Sequence, residues 1–136
     1  MTTDLVDLIG QLEHEHVEVR AALARVGELP AGADLAVLTA TLDEVAAVLV
    51  AGLDQHSAAE DTVLFPALGE GLGAVAETFA AEHVDIRAWR DQLYQAATIS
   101  ERLAAGAELR GLLHAHMERE ENMLFPSARA VLGAGG

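Results

Sequence analysis

The sequence predicts an all-α protein, an antiparallel up-and-down four-helix bundle, and three observations predict it. Apolar residues recur every three or four positions through most of the chain, without the sustained alternation a strand would need. Two breaks rich in glycine or proline, and a fading of the pattern around Thr98, divide these runs into four segments. The third and fourth segments also repeat the first and second: EHVEVRA (residues 15–21) returns as EHVDIRA (82–88), and HSAAEDTVLFP (56–66) returns as HMEREENMLFP (116–126). One helical hairpin is written twice, which gives the bundle an internal pseudo-two-fold repeat.

The first helix is expected from Asp4 to about Val26, with Leu5, Leu8, Ile9, Leu12, Val19, Leu23 and Val26 on one side. His16 falls within that stripe, whereas His14 shares its side with Asp7, Gln11 and Glu18 and is expected in water. GELPAGA (27–33) is a connection, and Asp34 caps the second helix. That helix carries Leu35, Leu38, Leu42, Val45, Leu49 and Leu53 up to His56, and Pro66 should end or kink it soon afterwards.

GEGLG (69–73) is the central break. The third helix starts near Ala74, carries Val75, Phe79, His83, Ile86 and Leu93 inward, and fades around Thr98; Tyr94 is expected in its core. Ser100 and Glu101 make a reasonable start for the fourth. Leu109, Leu112, Leu113, His116, Glu120, Met123 and Leu124 form its inner stripe, with Arg110, His114, Glu118 and Glu121 outside. The tail VLGAGG is expected to fray.

Composition narrows the chemistry. The 136 residues suit one domain, residues 1–136, and the absence of cysteine excludes disulfides, thiolate metal sites and a cysteine nucleophile. A net charge of −14, with eight arginines and no lysine, argues against nucleic acid or an anionic membrane as partner. The N-terminus is acidic and the longest apolar run is nine residues, so a soluble cytoplasmic protein is expected.

A four-residue step turns a helix by about 400°, which stacks His56 under Glu60 and His116 under Glu120. With His16 and His83, six polar groups lie on inward stripes, one imidazole per helix. Such groups are costly in an apolar interior unless paired or metal-bound. Imidazole and carboxylate without sulfur suit iron, manganese or zinc, and six donors exceed what one tetrahedral zinc takes. Two ions fit better, each with two histidines and both sharing Glu60 and Glu120. A carboxylate-bridged pair of this kind sits about 3.5–4 Å apart and can exchange two electrons with an oxidant.

The doubled HxxxE with LFP resembles the hemerythrin-like, or HHE cation-binding, domains, over nearly the whole chain. The resemblance implies a hemerythrin-like bundle around a non-haem di-iron centre bridged by carboxylates and an oxygen species. His16 and His56 would then serve one iron and His83 and His116 the other, with Glu60 and Glu120 bridging. Two departures matter. The oxygen-carrying members place a second histidine one turn after the helix-three ligand, where this chain has Arg87; they also bridge with an Asp five residues after the helix-four histidine, where this chain has Glu121. The resemblance therefore favours members with a four-His, two-Glu set. Their expected partner is a small oxidant or gas, namely dioxygen, hydrogen peroxide or nitric oxide, which is bound or sensed or, as in catalase-active members, disproportionated.

The same helical arithmetic walls the site with Leu12, Val19, Leu53, Val63, Leu64, Phe79, Ile86, Leu112, Leu113, Met123 and Leu124. Such a pocket admits a small uncharged molecule and offers a large polar one no seat. The ferritin-like Glu-x-x-His spacing occurs once, from Glu13 to His16, without a partner.

Overall fold

The computed structural model describes residues 5–29 and 32–134, and these are almost entirely helical. Four rods follow one another. The first is α1 (Leu5–Gly27). The second is α2 (Leu35–Ala59), a π-helical turn (Glu60–Leu64) and the short α3 (Phe65–Ala67). After a 3₁₀ turn (Glu70–Leu72), α4 (Gly73–Gln95) is the third. The fourth is α5 (Ile99–Arg119), a second π-helical turn (Glu120–Leu124) and α6 (Phe125–Ala134). Neighbouring rods pack in a ring, α1 on α2, α2 on α4, α4 on α5 and α5 back on α1, as short connections between long helices require.

The local signals behave as the side chains dictate. Asp34 accepts from the Val37 N–H and so caps α2. The fourth rod starts earlier than Ser100. Thr98 is the cap: its hydroxyl oxygen accepts from the Glu101 N–H and its O–H donates to the Glu101 carboxylate. Thr98 has the extended backbone of a cap and its hydroxyl satisfies an N–H of the first turn, so the helix begins at Ile99, one residue before Ser100. Gly69 ends the second rod at a φ of 75°, a conformation that excludes most side chains.

Pro126 does not end its helix. The fourth rod continues to Ala134, and Leu132 packs against the core. The frayed tail is thus corrected up to that point, while its last residues, 135–136, like Asp4 and the connection's Pro30 and Ala31, lie outside the described residues. Tyr94 is 55 % exposed, not core. The buried positions Phe79, His83, Ile86, Arg90 and Leu93 centre on a line from which Tyr94 is turned by about 60° at 100° per residue. Leu35, placed on the inner stripe, is exposed in the first turn of α2.

Two apolar clusters fill the bundle. One gathers Val19, Leu23, Leu42, Val45, Leu49, Leu53, Ile86, Leu93, Leu109, Leu113 and Met117. The other gathers Ile9, Leu12, Leu64, Phe65, Phe79, Leu124, Phe125 and Ala128. By length and mean hydropathy (1.8) the rod Leu35–Ala67 could cross a bilayer. In the fold, however, its Leu42, Val45, Ala46, Leu49 and Leu53 are buried against the other rods, on the same face as His56 and Glu60. Between the two clusters lies a polar layer.

Candidate metal centre

That layer consists of His16, His56, Glu60, His83, His116 and Glu120, all at most 5 % exposed. The structure brings together all six residues expected from the sequence, while His14 and His114 face solvent. The ring centroids pair as His16 with His56 (5.0 Å) and His83 with His116 (5.1 Å). Two donor groups follow: His16, His56 and Glu120, and His83, His116, Glu60 and Glu120, each with its ligand atoms within 4.8 Å of one another. Glu120 belongs to both.

The spacings suit shared ions better than hydrogen bonds. His83 Nε2 lies 3.0 Å from Glu60, His56 Nε2 lies 3.5 Å from Glu60 and 3.8 Å from Glu120, and His116 Nε2 lies 3.5 Å from Glu120. Yet Nε2 of His56, His83 and His116, both Glu60 oxygens and Glu120 Oε2 are buried without a hydrogen-bond partner; the 3.0 Å His83 contact is short enough but misaligned. Only His16 Nε2 makes such a bond, to Glu120 at 3.0 Å. Donors about 2.1 Å from one ion stand about 3.0 Å apart in an octahedron and 3.4 Å in a tetrahedron. Orphaned buried donors at those separations fit a cation.

Behind each imidazole stands a second carboxylate, a set the sequence reading missed. Glu121 takes His16 Nδ1 at 2.6 Å, Glu15 takes His56 at 2.8 Å, Asp61 takes His83 at 3.0 Å and Glu82 takes His116 at 2.7 Å. An ionised carboxylate only accepts, so each Nδ1 carries a proton, which leaves Nε2 as the nitrogen that would face a cation once its own proton is released. Two of the four are further clamped: Arg20 donates twice to Glu121, and Arg119 donates to Glu82. Glu121 was expected on the outer face and is instead half-buried beside His16. A signal was present, since every one of these acids is the immediate neighbour of a ligand in the repeated pairs Glu15–His16, Glu82–His83, Glu60–Asp61 and Glu120–Glu121.

The π-helical turns explain the error. The Phe65 N–H donates back five residues to the Glu60 carbonyl, and Phe125 does the same to Glu120. One extra residue in the turn, just ahead of a proline that has no N–H to give, delays the helix's rotation. Leu64 and Phe65, and Leu124 and Phe125, therefore point inward, while Val63 and Met123, expected as walls, are 46 % and 45 % exposed. Phe65 stacks on His83 and Phe125 on His16, so the LFP phenylalanines close one side of the site besides packing the core.

Without an ion the charges are strained. Burial and the adjacent Glu120 hold the Glu60 carboxyl above its usual range. Burial pushes Glu120 the same way, but Glu60, His116, His16 and His56 outweigh it and hold it well below. Burial likewise opposes charge on His56, and the carboxylates of Glu120 and Glu60 overcome it, raising its pKa to about 11. Two adjacent buried carboxylates among four imidazoles are arranged for a positive charge between them.

On the side opposite the phenylalanines a small cavity of ≈ 20 Å³ touches all four histidines, with Val19, Leu53, Ile86, Leu113 and Met117 as its apolar wall and Ser57 and Arg87 beside them. That volume holds about one water-sized molecule.

Fold and site together define an all-α, metal-binding bundle with buried histidine and glutamate donors. The chain belongs to the hemerythrin HHE cation-binding domain family, whose family model matches residues 7–128. No curated protein and no solved structure matches it.

Proposed function

We propose that the centre holds two iron ions and that the protein binds or reacts with a small oxidant, dioxygen, hydrogen peroxide or nitric oxide. The observation that carries this reading is the division of the donors into two groups sharing Glu120, each with two histidines aimed inward. His16 and His56 would hold one ion, His83 and His116 the other, with Glu120 and Glu60 between them. Four imidazoles and two carboxylates suit iron, manganese or zinc, and the family likeness puts iron first. An iron pair, when bound, supplies electrons to an oxidant held in the cavity. The chain's own part is to fix the donors and leave, on the histidine side, a mostly apolar space of about one water-sized molecule next to the ions.

Metal analysis and an absorption spectrum of the purified protein test the first half: about two irons per chain are expected. Stopped-flow mixing of the loaded protein with hydrogen peroxide, with oxygen release followed, tests the second. A single stoichiometric spectral change supports binding or sensing, and sustained oxygen release supports a catalase-like enzyme at the same site. No change at all would remove both.

A further inference from the structure

Two side chains in the wall of the cavity beside the histidines, Val19 and Met117, each also line an outer groove. Val19 separates it from a groove of ≈ 300 Å³ between α1 and α2, beside Glu15, Glu18 and Gln55. Met117 separates it from a groove of ≈ 590 Å³ between α1 and α5, beside Arg20, Ala24, Ala107, Arg110, Gly111 and His114. We propose that Met117 is a gate, and that small neutral or anionic ligands reach the metal centre through the α1–α5 groove by displacement of its side chain. The proposal rests on the di-iron reading for its ligand.

Four features favour this wall over the other. Valine is branched at Cβ and held in one rotamer within a helix, whereas methionine has three rotatable bonds and a polarizable end that repacks readily. Met117 also has somewhere to go, because small residues, Ala24, Ala107 and Gly111, line the groove outside it, and nothing lies within 4 Å of where a Gly111 Cβ would stand. Charge points the same way. The chain carries −14 overall, which repels anions, yet of this groove's two arginines only Arg20 is paired, with Glu121, while the Arg110 guanidinium rests against Gly27 with no ion pair among the described residues. The Val19 groove carries glutamates. The internal repeat breaks at this spot too: the counterpart of Met117 is Ser57, whose short side chain is tied to the Leu53 carbonyl at 2.7 Å.

The test is stopped-flow binding of azide, a small monoanion, to the iron-loaded protein, read by absorbance. A gate changes entry and exit together and leaves the equilibrium alone. Met117→Ala is expected to raise the association and dissociation rates about tenfold each, and Met117→Phe to lower both, with Kd within about twofold of the parent. Met117→Leu, close in volume but branched, should slow both, and it carries the test if the alanine variant misfolds. Iron content and the azide-free spectrum should stay as in the parent, and Val19→Ile, which thickens the other wall without opening it, should leave the rates alone. Arg110→Glu should slow association at low salt and not at high salt. Rates unmoved by Met117, or moved by Val19 instead, overturn the gate while leaving the centre intact. Absence of any azide-dependent absorption in the loaded parent overturns the di-iron reading, and the gate falls with it.

Discussion

His16 donates from Nδ1 to Glu121 at 2.6 Å, across 105 positions of sequence. The bond fixes the His16 tautomer and ties α1 to the second π-helical turn, with Arg20 holding Glu121 from the far side. His83 with Asp61 is its counterpart in the repeat, at 3.0 Å and without the arginine clamp.

Removing that support should weaken the centre without dismantling it. Glu121→Ala is expected to lower metal affinity by about 10–100-fold with helix content unchanged, measured by chelator competition and circular dichroism. An affinity equal to the parent's would mean that the acid behind His16 plays no part in orienting it.

The two inner glutamates should differ, because Glu120 belongs to both donor groups and Glu60 to one. Metal content is expected to fall from about two per chain to well under one in Glu120→Ala, and to about one in Glu60→Ala. His114→Ala, an exposed position 3.4 Å from Glu118, should keep the parent value. Loss of metal in that variant would show that the wrong face of α5 had been assigned.

Metal-free and metal-loaded protein should respond to pH in opposite senses. In the metal-free chain, burial works against charge on His56 and His116, but the neighbouring carboxylates win and raise both, His56 to about 11. A raised pKa stabilises fully below the unfolded value near 6.5 and the contribution is lost as pH climbs toward 11. In the loaded protein the imidazoles are deprotonated, so stability should instead fall as pH drops below about 6.5, where unfolded histidines take up protons. Thermal unfolding from pH 5 to 10 with and without metal checks this, and parallel curves would count against it.

On the acid side both forms should weaken together. Arg20 holds Glu121 below its ordinary range, as Arg119 and His116 hold Glu82 despite its burial. Depressed carboxylates stabilise above their unfolded value of about 4.5, and this is lost as pH falls through the lower folded values. Arg20→Gln should flatten the acid limb of a denaturation profile, and an unaltered limb would exclude the pairing as its source.

The start of the fourth rod gives a test away from the metal. Thr98→Ala should cost about 0.5–2 kcal/mol in urea denaturation, and Ser100→Ala no more than about 0.5 kcal/mol. The reverse order would restore Ser100 as the cap.

Much of this protein was legible in one dimension. The helical period of its leucines and valines defines the four rods, and the duplicated HxxxE selects His56, Glu60, His116 and Glu120, because a helix forces residues four apart onto one face whatever surrounds it. His16 and His83 followed from their places in the repeat. What the period could not supply depended on contacts between rods. Glu15 supports His56 on another helix, Glu121 reaches back to His16, and Met117 separates a cavity from a groove made by two helices. The π-helical turns added one residue to the rotation, which moved Val63 and Met123 outward and Glu121 beside a histidine. Spacing along a single regular helix is a local property of the backbone. Which acid stands behind which imidazole is settled only when four helices, two of them locally widened, dock around the same point.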